Sequence, residues 1–189
     1  MSDVSWETVR RVITAQTKDG KNVFAIDDQV LPIVAAGPNA DHGQQLWQIW
    51  GTDGIPQLPD DAETGYADTL FAPAGGYRLQ ICEFPAESGS TLTPRGAWPP
   101  LGTMLGRTDT GVVSTEFGDV DDRVMHYTDS VDLVIVLEGE VGVLLDGGGE
   151  VTLRKGDVLV QNGVPHAWRK GPVPCRIVMV ALGAERTSR

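Results

Sequence analysis

Positive charge is scarce in this 189-residue chain: 15 Lys and Arg stand against 26 Asp and Glu, a formal charge of −11. Nucleic-acid binding needs clustered cations that displace counterions from phosphates. Adjacent basic residues occur only as Arg10-Arg11, Arg154-Lys155 and Arg169-Lys170. No nucleic-acid partner is therefore expected, and the acidity reads as an aid to solubility. Cysteine is scarcer still. Cys82 and Cys175 each lie in an apolar run, as buried reduced thiols do. No Cys-x-x-Cys pair or Cys/His cluster offers structural zinc. Long apolar runs are missing, since none approaches the ~20 residues that span a bilayer. Met1 to Glu7 has neither the basic start nor the apolar core of an export signal. A cytoplasmic protein with no membrane partner is the expectation. Absent too are a Gly-x-Ser-x-Gly elbow and, after Gly147-Gly148-Gly149, the helix that a phosphate loop requires.

Glycine, by contrast, is plentiful at 23 residues, and much of it separates short apolar runs. Val131 to Leu137 is apolar and β-branched apart from Asp132, the pattern of a strand buried on both faces. Turns at Glu138-Gly139-Glu140, Asp146 to Gly149 and Gly156-Asp157 separate it from Val141–Leu145, Val151–Leu153 and Val158–Val160. Closely spaced short strands with such turns predict an all-β antiparallel sandwich or barrel. Upstream, Thr8 to Gln16 and Asn22 to Ile26 flank Lys18-Asp19-Gly20-Lys21 and predict a hairpin. Leu46 to Trp50 reads as a short strand, and Gly76 to Phe84 alternates, with Tyr77, Leu79 and Ile81 opposite Arg78, Gln80, Cys82 and Phe84. Between 86 and 124 the periodicity is lost. That predicts a long loop containing one strand, Val112 to Phe117, and placed to act as a lid or to sit as a surface insertion. Pro174 to Leu182 predicts the closing strand, and Ala184 to Arg189 a frayed tail.

The stretch from Met125 to Trp168 resembles a cupin, a small antiparallel barrel of the jelly-roll kind. In the first cupin motif (H-x-H, three or four residues, Glu, six residues, Gly), His126, Thr128, Asp132 and Gly139 fall in register. In the second (Gly, five residues, Pro-x-Gly, two residues, His, three residues, Asn), Gly156, Gly163 and His166 follow the pattern, one residue short between the glycines. Thr128 replaces the second histidine and Asp132 the glutamate; Gln161 replaces the proline and Lys170 the closing asparagine. The whole chain also resembles a subgroup of bacterial and fungal cupin-like proteins with an H-x-T-x-S-V-D signature and an N-terminal extension. The resemblance implies a single cupin domain: an N-terminal extension with leading strands over 1–84, a long loop over 85–124, a motif core over 125–182 and a tail over 183–189. Cupin leading strands commonly add to the sheet or cross to a partner subunit, which implies a homodimer.

Period two puts His126, Thr128, Ser130, Asp132, Val134 and Val136 on one strand face, and His166 with Trp168 on another. The cupin pairing would bring His126, Asp132 and His166 together. Two imidazoles and a carboxylate form a facial set that suits Fe, Mn, Ni or Zn. A buried Asp132 needs a partner, which is either such a metal, a histidine or an arginine such as Arg78. Thr128 keeps its proton and is a poor ligand, so it orients water or leaves space for substrate. Thr128, Val134 and Trp168 are the expected substrate-lining residues, with Trp47 or Trp50 as further candidates. His42 reads as a solvated loop histidine. The expected function is a small-molecule enzyme, metal-assisted or using His166 as a base oriented by Asp132, with lyase, dehydratase, isomerase, decarboxylase and oxygenase chemistry all compatible. The alternative is a metal-free ligand-binding or sensing module.

Overall fold

Short β-branched runs punctuated by glycine give strands throughout. A computed structural model describes residues 7–34, 45–63, 70–87, 119–120 and 123–187, and no helix occurs among them. The strands are β1 (Val9–Gln16), β2 (Asn22–Val30), β3 (Ile33–Val34), β4 (Gln45–Thr52), β5 (Tyr77–Phe84), β6 (Asp119–Val120) and β7 (Arg123–Val124). They continue with β8 (Ser130–Glu138), β9 (Glu140–Leu145), β10 (Glu150–Arg154), β11 (Val158–Gln161), β12 (His166–Lys170) and β13 (Cys175–Gly183). A six-stranded sheet runs β11-β8-β13-β5-β4-β3 and a three-stranded one β10-β9-β12, with β1-β2 and β6-β7 as separate pairs. Every pairing is antiparallel.

The two larger sheets share one core, as the jelly-roll expectation requires. Cys82, Phe84, Val134, Val136, Cys175 and Ile177 from the six-stranded sheet meet Val141, Val143 and Leu153 from the three-stranded one. Each aliphatic side chain so buried contributes about 1.5–3 kcal/mol. In β8 the inward residues are Ser130, Asp132, Val134 and Val136, while Leu133 and Ile135 face outward. In β5 it is the Arg78, Gln80, Cys82 and Phe84 face that is buried. The turn after β8 needs Gly139: its φ is +71°, and a Cβ there would sit 1.9 Å from the Pro174 carbonyl oxygen.

The predicted N-terminal hairpin forms, with Gln16 opposite Asn22. Among the described residues β1 and β2 pair only with each other and do not extend the large sheet. Most of the 85–124 loop, including Val112 to Phe117, lies outside the described residues, as do His42, Trp6 and Trp98.

Candidate active site

The site begins with a backbone bridge. His126 N–H donates to His166 O and His166 N–H to His126 O, both at 2.9 Å. Such a reciprocal antiparallel pair projects both side chains to one side. Their ring centroids lie 4.5 Å apart, with planes at 50°. The His166 Nδ1 lies 3.0 Å from the Val164 carbonyl. A carbonyl only accepts, so Nδ1 carries the hydrogen and Nε2 keeps its lone pair. Burial, with His126 beside it, pushes the His166 imidazole down to about 4, although the Val164 carbonyl works the other way. It is neutral at pH 7.

Two residues on, the same face becomes a chain of hydroxyls. Ser130 Oγ donates to Asp132 Oδ1 at 2.6 Å, and Thr128 Oγ1 lies 2.7 Å from Ser130 Oγ. With the Ser130 hydrogen spent on the carboxylate, Thr128 is the donor to Ser130. All three residues are buried. Burial raises the Asp132 carboxyl above its ordinary range, opposed first by the hydrogen bond from Ser130 and then by the nearby Thr128 hydroxyl. Its charge is felt at Cys82, whose thiol is pushed up to about 12 by burial first and by Asp132 second. On β12, Trp168 sits edge-on to His166, with centroids 5.8 Å apart, and packs at 5.4 Å against Phe84 from the opposite sheet.

No family model matches the sequence. Over 95 residues the chain is 37% identical to Phomopsin biosynthesis cluster protein D of Diaporthe leptostromiformis, covering 49% of this chain and 47% of that protein. A Cupin-domain-containing oxidoreductase of Hypocrea virens is 40% identical over 62 residues, 31% of this chain and 32% of the relative. The chain thus spans about half the length, or less, of the curated relatives it matches. Among solved structures, the polyketide cyclase RemF of Streptomyces resistomycificus superposes loosely, with a TM-score of 0.42 at 19% identity over 80% of this chain and 72% of that one. Both cupin motifs, the two antiparallel sheets and the cupin-domain relatives agree. They support a cupin superfamily assignment for the chain.

In this chain the expected facial set is only part-assembled. The two imidazoles meet, but the carboxylate is held by Ser130. Among the described residues no group of three or more His, Cys, Asp or Glu side chains is placed to hold a metal ion. The reason is local: Asp132 is a methylene shorter than the glutamate of the motif, and a hydroxyl two residues away on its own face satisfies it. In this geometry His126, Asp132 and His166 are thus not gathered into a three-ligand set. Nor does Asp132 orient His166, since the Val164 carbonyl does that. Arg78 is not the partner of Asp132 either; it bonds the carbonyls of Thr52, Phe71 and Tyr77 and the Asp53 carboxylate.

Of the expected substrate-lining residues, Trp168 flanks the histidines. Thr128 is engaged in the hydroxyl chain, and Val134 is fully buried in the shared core, walled off from a ligand. Trp50 instead lines a cleft of about 510 Å³ between residues 16–20 and 55–61, together with Tyr77 and Asp60. That cleft contains none of His126, Asp132, His166 and Trp168, so the chemistry is better placed at the histidine pair.

Two contributors had no local signal. One is Phe84, which reaches Trp168 only because the sheets close on each other. The other is Arg186, in the segment expected to fray. Its Nη2 donates to the carbonyls of Thr128 (3.1 Å) and Gly163 (3.0 Å), its Nε to Asp129 Oδ1 (2.5 Å), and the guanidinium lies 4.2 Å from the Tyr127 ring centroid. Arg186 thus ties the segment after His126 to the turn before His166.

Proposed function

We propose that this chain is an enzyme acting on a small organic molecule held beside His126 and His166. The bridged histidine pair carries the proposal: a buried, neutral imidazole with a fixed tautomer presents a bare Nε2 within reach of a second imidazole. Such a nitrogen accepts a proton or hydrogen bond from substrate, while the Val164 carbonyl holds the opposite ring nitrogen and keeps the ring aligned. An anionic substrate would oppose the depression of His166 and strengthen it as a base. Trp168 supplies an apolar wall. The Thr128–Ser130–Asp132 chain holds the strand below the pair in one hydrogen-bonded arrangement. Relatives named as biosynthesis cluster proteins and cupin-domain-containing oxidoreductases support small-molecule biosynthesis as the setting. The His126-x-Thr128-x-Ser130-Val131-Asp132 stripe is the basis for placing the chain in the corresponding cupin subgroup.

The test is a thermal-shift screen of the purified protein against small carboxylates, enones and hydroxyaromatics, run beside His126→Gln and His166→Gln. Compounds that stabilise the wild type and neither variant are expected, followed by turnover of those compounds in a product assay. Equal shifts in all three proteins would refute a site at the histidines. A compound held at the site but left unchanged would select the binding module over the enzyme. Metal content is measured on the same samples. Near-stoichiometric Fe, Mn, Ni or Zn that is lost in Asp132→Asn would reinstate the three-ligand set.

A further inference from the structure

One side chain of the six-stranded sheet leaves the face that strand alternation assigns to it. On β4, Leu46 and Gln48 stand opposite Cys82 and Gln80 and so share the inward face of β5. Period two would send Trp50 inward as well. Instead the register slips by one residue between Gln48 and Trp50, which puts Trp50 opposite Leu79, on the outer face with Tyr77. A bulge of this kind re-aims a side chain, and such bulges gather beside functional sites. Here it delivers Trp50 to the cleft of about 510 Å³ between the hairpin turn and the 55–61 loop, away from the histidine pair. The volume is that of a small-molecule site.

We propose that this cleft is a second binding site and that its ligand is an organic ammonium ion. Trp50 and Tyr77 line it, and the Trp50 indole N–H donates to the Tyr77 hydroxyl, which holds the two rings together. Aromatic rings attract a cation through their quadrupole, tryptophan most strongly. Asp60 and Asp61 supply the complementary charge. Each spends one carboxylate oxygen on a backbone N–H two residues on, Ala62 at 2.6 Å and Glu63 at 3.1 Å. The cationic lining residue, Lys18, pairs with Glu63 at 3.6 Å instead. The Asp60 charge also reaches the aromatic pair. Burial first and Asp60 second raise the Tyr77 hydroxyl above the ordinary phenol range, opposed by the Trp50 N–H. An anion would be repelled here. A metal ion finds too few ligands, since among the described residues no three His, Cys, Asp or Glu groups converge. An alkylammonium meets both demands: charge for the aspartates, and carbon for the rings and for Ile55, whose side chain stands 78% exposed at the cleft. The Gln16 N–H donates to the Asp60 carbonyl at 2.9 Å, which fixes the loop against the hairpin. Little ordering is then left to oppose binding.

The experiment follows the indole N–H signals in NMR spectra while choline chloride or aminopropanol hydrochloride is titrated into the full chain, against a sodium chloride control. The Trp50 signal is assigned by its loss in Trp50→Phe. It is expected to shift saturably with at least one of the two salts. The dissociation constant should be roughly millimolar, because Asp60 is exposed and solvent screens its charge. The uncharged alcohol in which carbon replaces the nitrogen of each probe should bind at least about tenfold more weakly. Asp60→Asn combined with Asp61→Asn should weaken the ammonium ion by a similar factor. Both amides keep an acceptor for the Ala62 and Glu63 N–H groups, and circular dichroism checks the fold. His166→Gln should bind as the wild type does. No saturable shift with either salt would overturn the proposal. So would equal binding of the uncharged alcohols, an unchanged affinity in the paired Asn variant, or loss of binding in His166→Gln.

Discussion

Arg186→Ala is the sharpest perturbation of the site, because one side chain holds both histidine-bearing segments from a distance. It makes two charge-assisted bonds to the Thr128 and Gly163 carbonyls, contacts the Tyr127 ring and pairs with Asp129. A hydrogen bond from a charged group contributes about 1.5–3 kcal/mol when buried. Here the Arg186 side chain is 44% exposed, so solvent takes a large share and about 1 kcal/mol for the carbonyl pair is the defensible figure. The ring contact adds about 0.5–1 kcal/mol, and the exposed ion pair about 0.5 kcal/mol. The loss is expected near 2 kcal/mol, read in urea as a lower midpoint at unchanged slope. It should also appear as a fall of about 4–8 °C in Tm. Arg186→Lys should recover only part of the latch, because Nη2 bonds both carbonyls while Nε holds Asp129, and a single ammonium nitrogen cannot stand at both places. A cost below about 0.5 kcal/mol for Arg186→Ala, or full rescue by lysine, would refute the latch.

The remaining predictions concern the same segments. Gly163 has φ +61° and a Cβ there would lie 3.0 Å from the Thr128 carbonyl; Gly163→Ala should cost about 1–3 kcal/mol and shift the His126 and His166 ring resonances in NMR spectra. Because the folded protein holds His166 down to about 4 against an ordinary 6.5, its neutral form is favoured. The associated stability is present above pH 6.5 and is lost as pH falls from there through about 4. That loss is on the order of 3 kcal/mol, and urea titrations between pH 7 and 4 should show it disappear in His166→Gln. Asp132 has the opposite sign, since a raised carboxyl makes the ionised form a cost above its ordinary pKa. Asp132→Asn, which keeps an acceptor for Ser130, should leave stability at pH 7 unchanged or higher, whereas Ser130→Ala strands the carboxylate and should cost about 1–3 kcal/mol. Equal losses for the two variants would contradict the hydrogen-bond order.

Period-two alternation was enough to place Thr128, Ser130 and Asp132 on one inward face, and the motif spacing was enough to bring His126 to His166. Both are short-range facts, fixed by strand geometry and by a glycine-dependent turn. The destination of Asp132 was not legible, because a carboxylate between an imidazole pair and a nearby hydroxyl can satisfy its charge with either. Side-chain length decides, and aspartate stops at Ser130. Arg186 was invisible for a different reason: it acts across 58 positions onto a carbonyl, and backbone acceptors leave no mark in sequence. Val134 was misjudged because an inward face holds both core and cavity, and only the opposing sheet says which part is filled. The outward half of β8 reverses that case. Its sequence reads as buried on both faces, and in the single chain Leu133 and Ile135 remain open to solvent. Apolar β-branched residues also serve strand formation itself, so the pattern alone did not say which of the two faces the single chain covers.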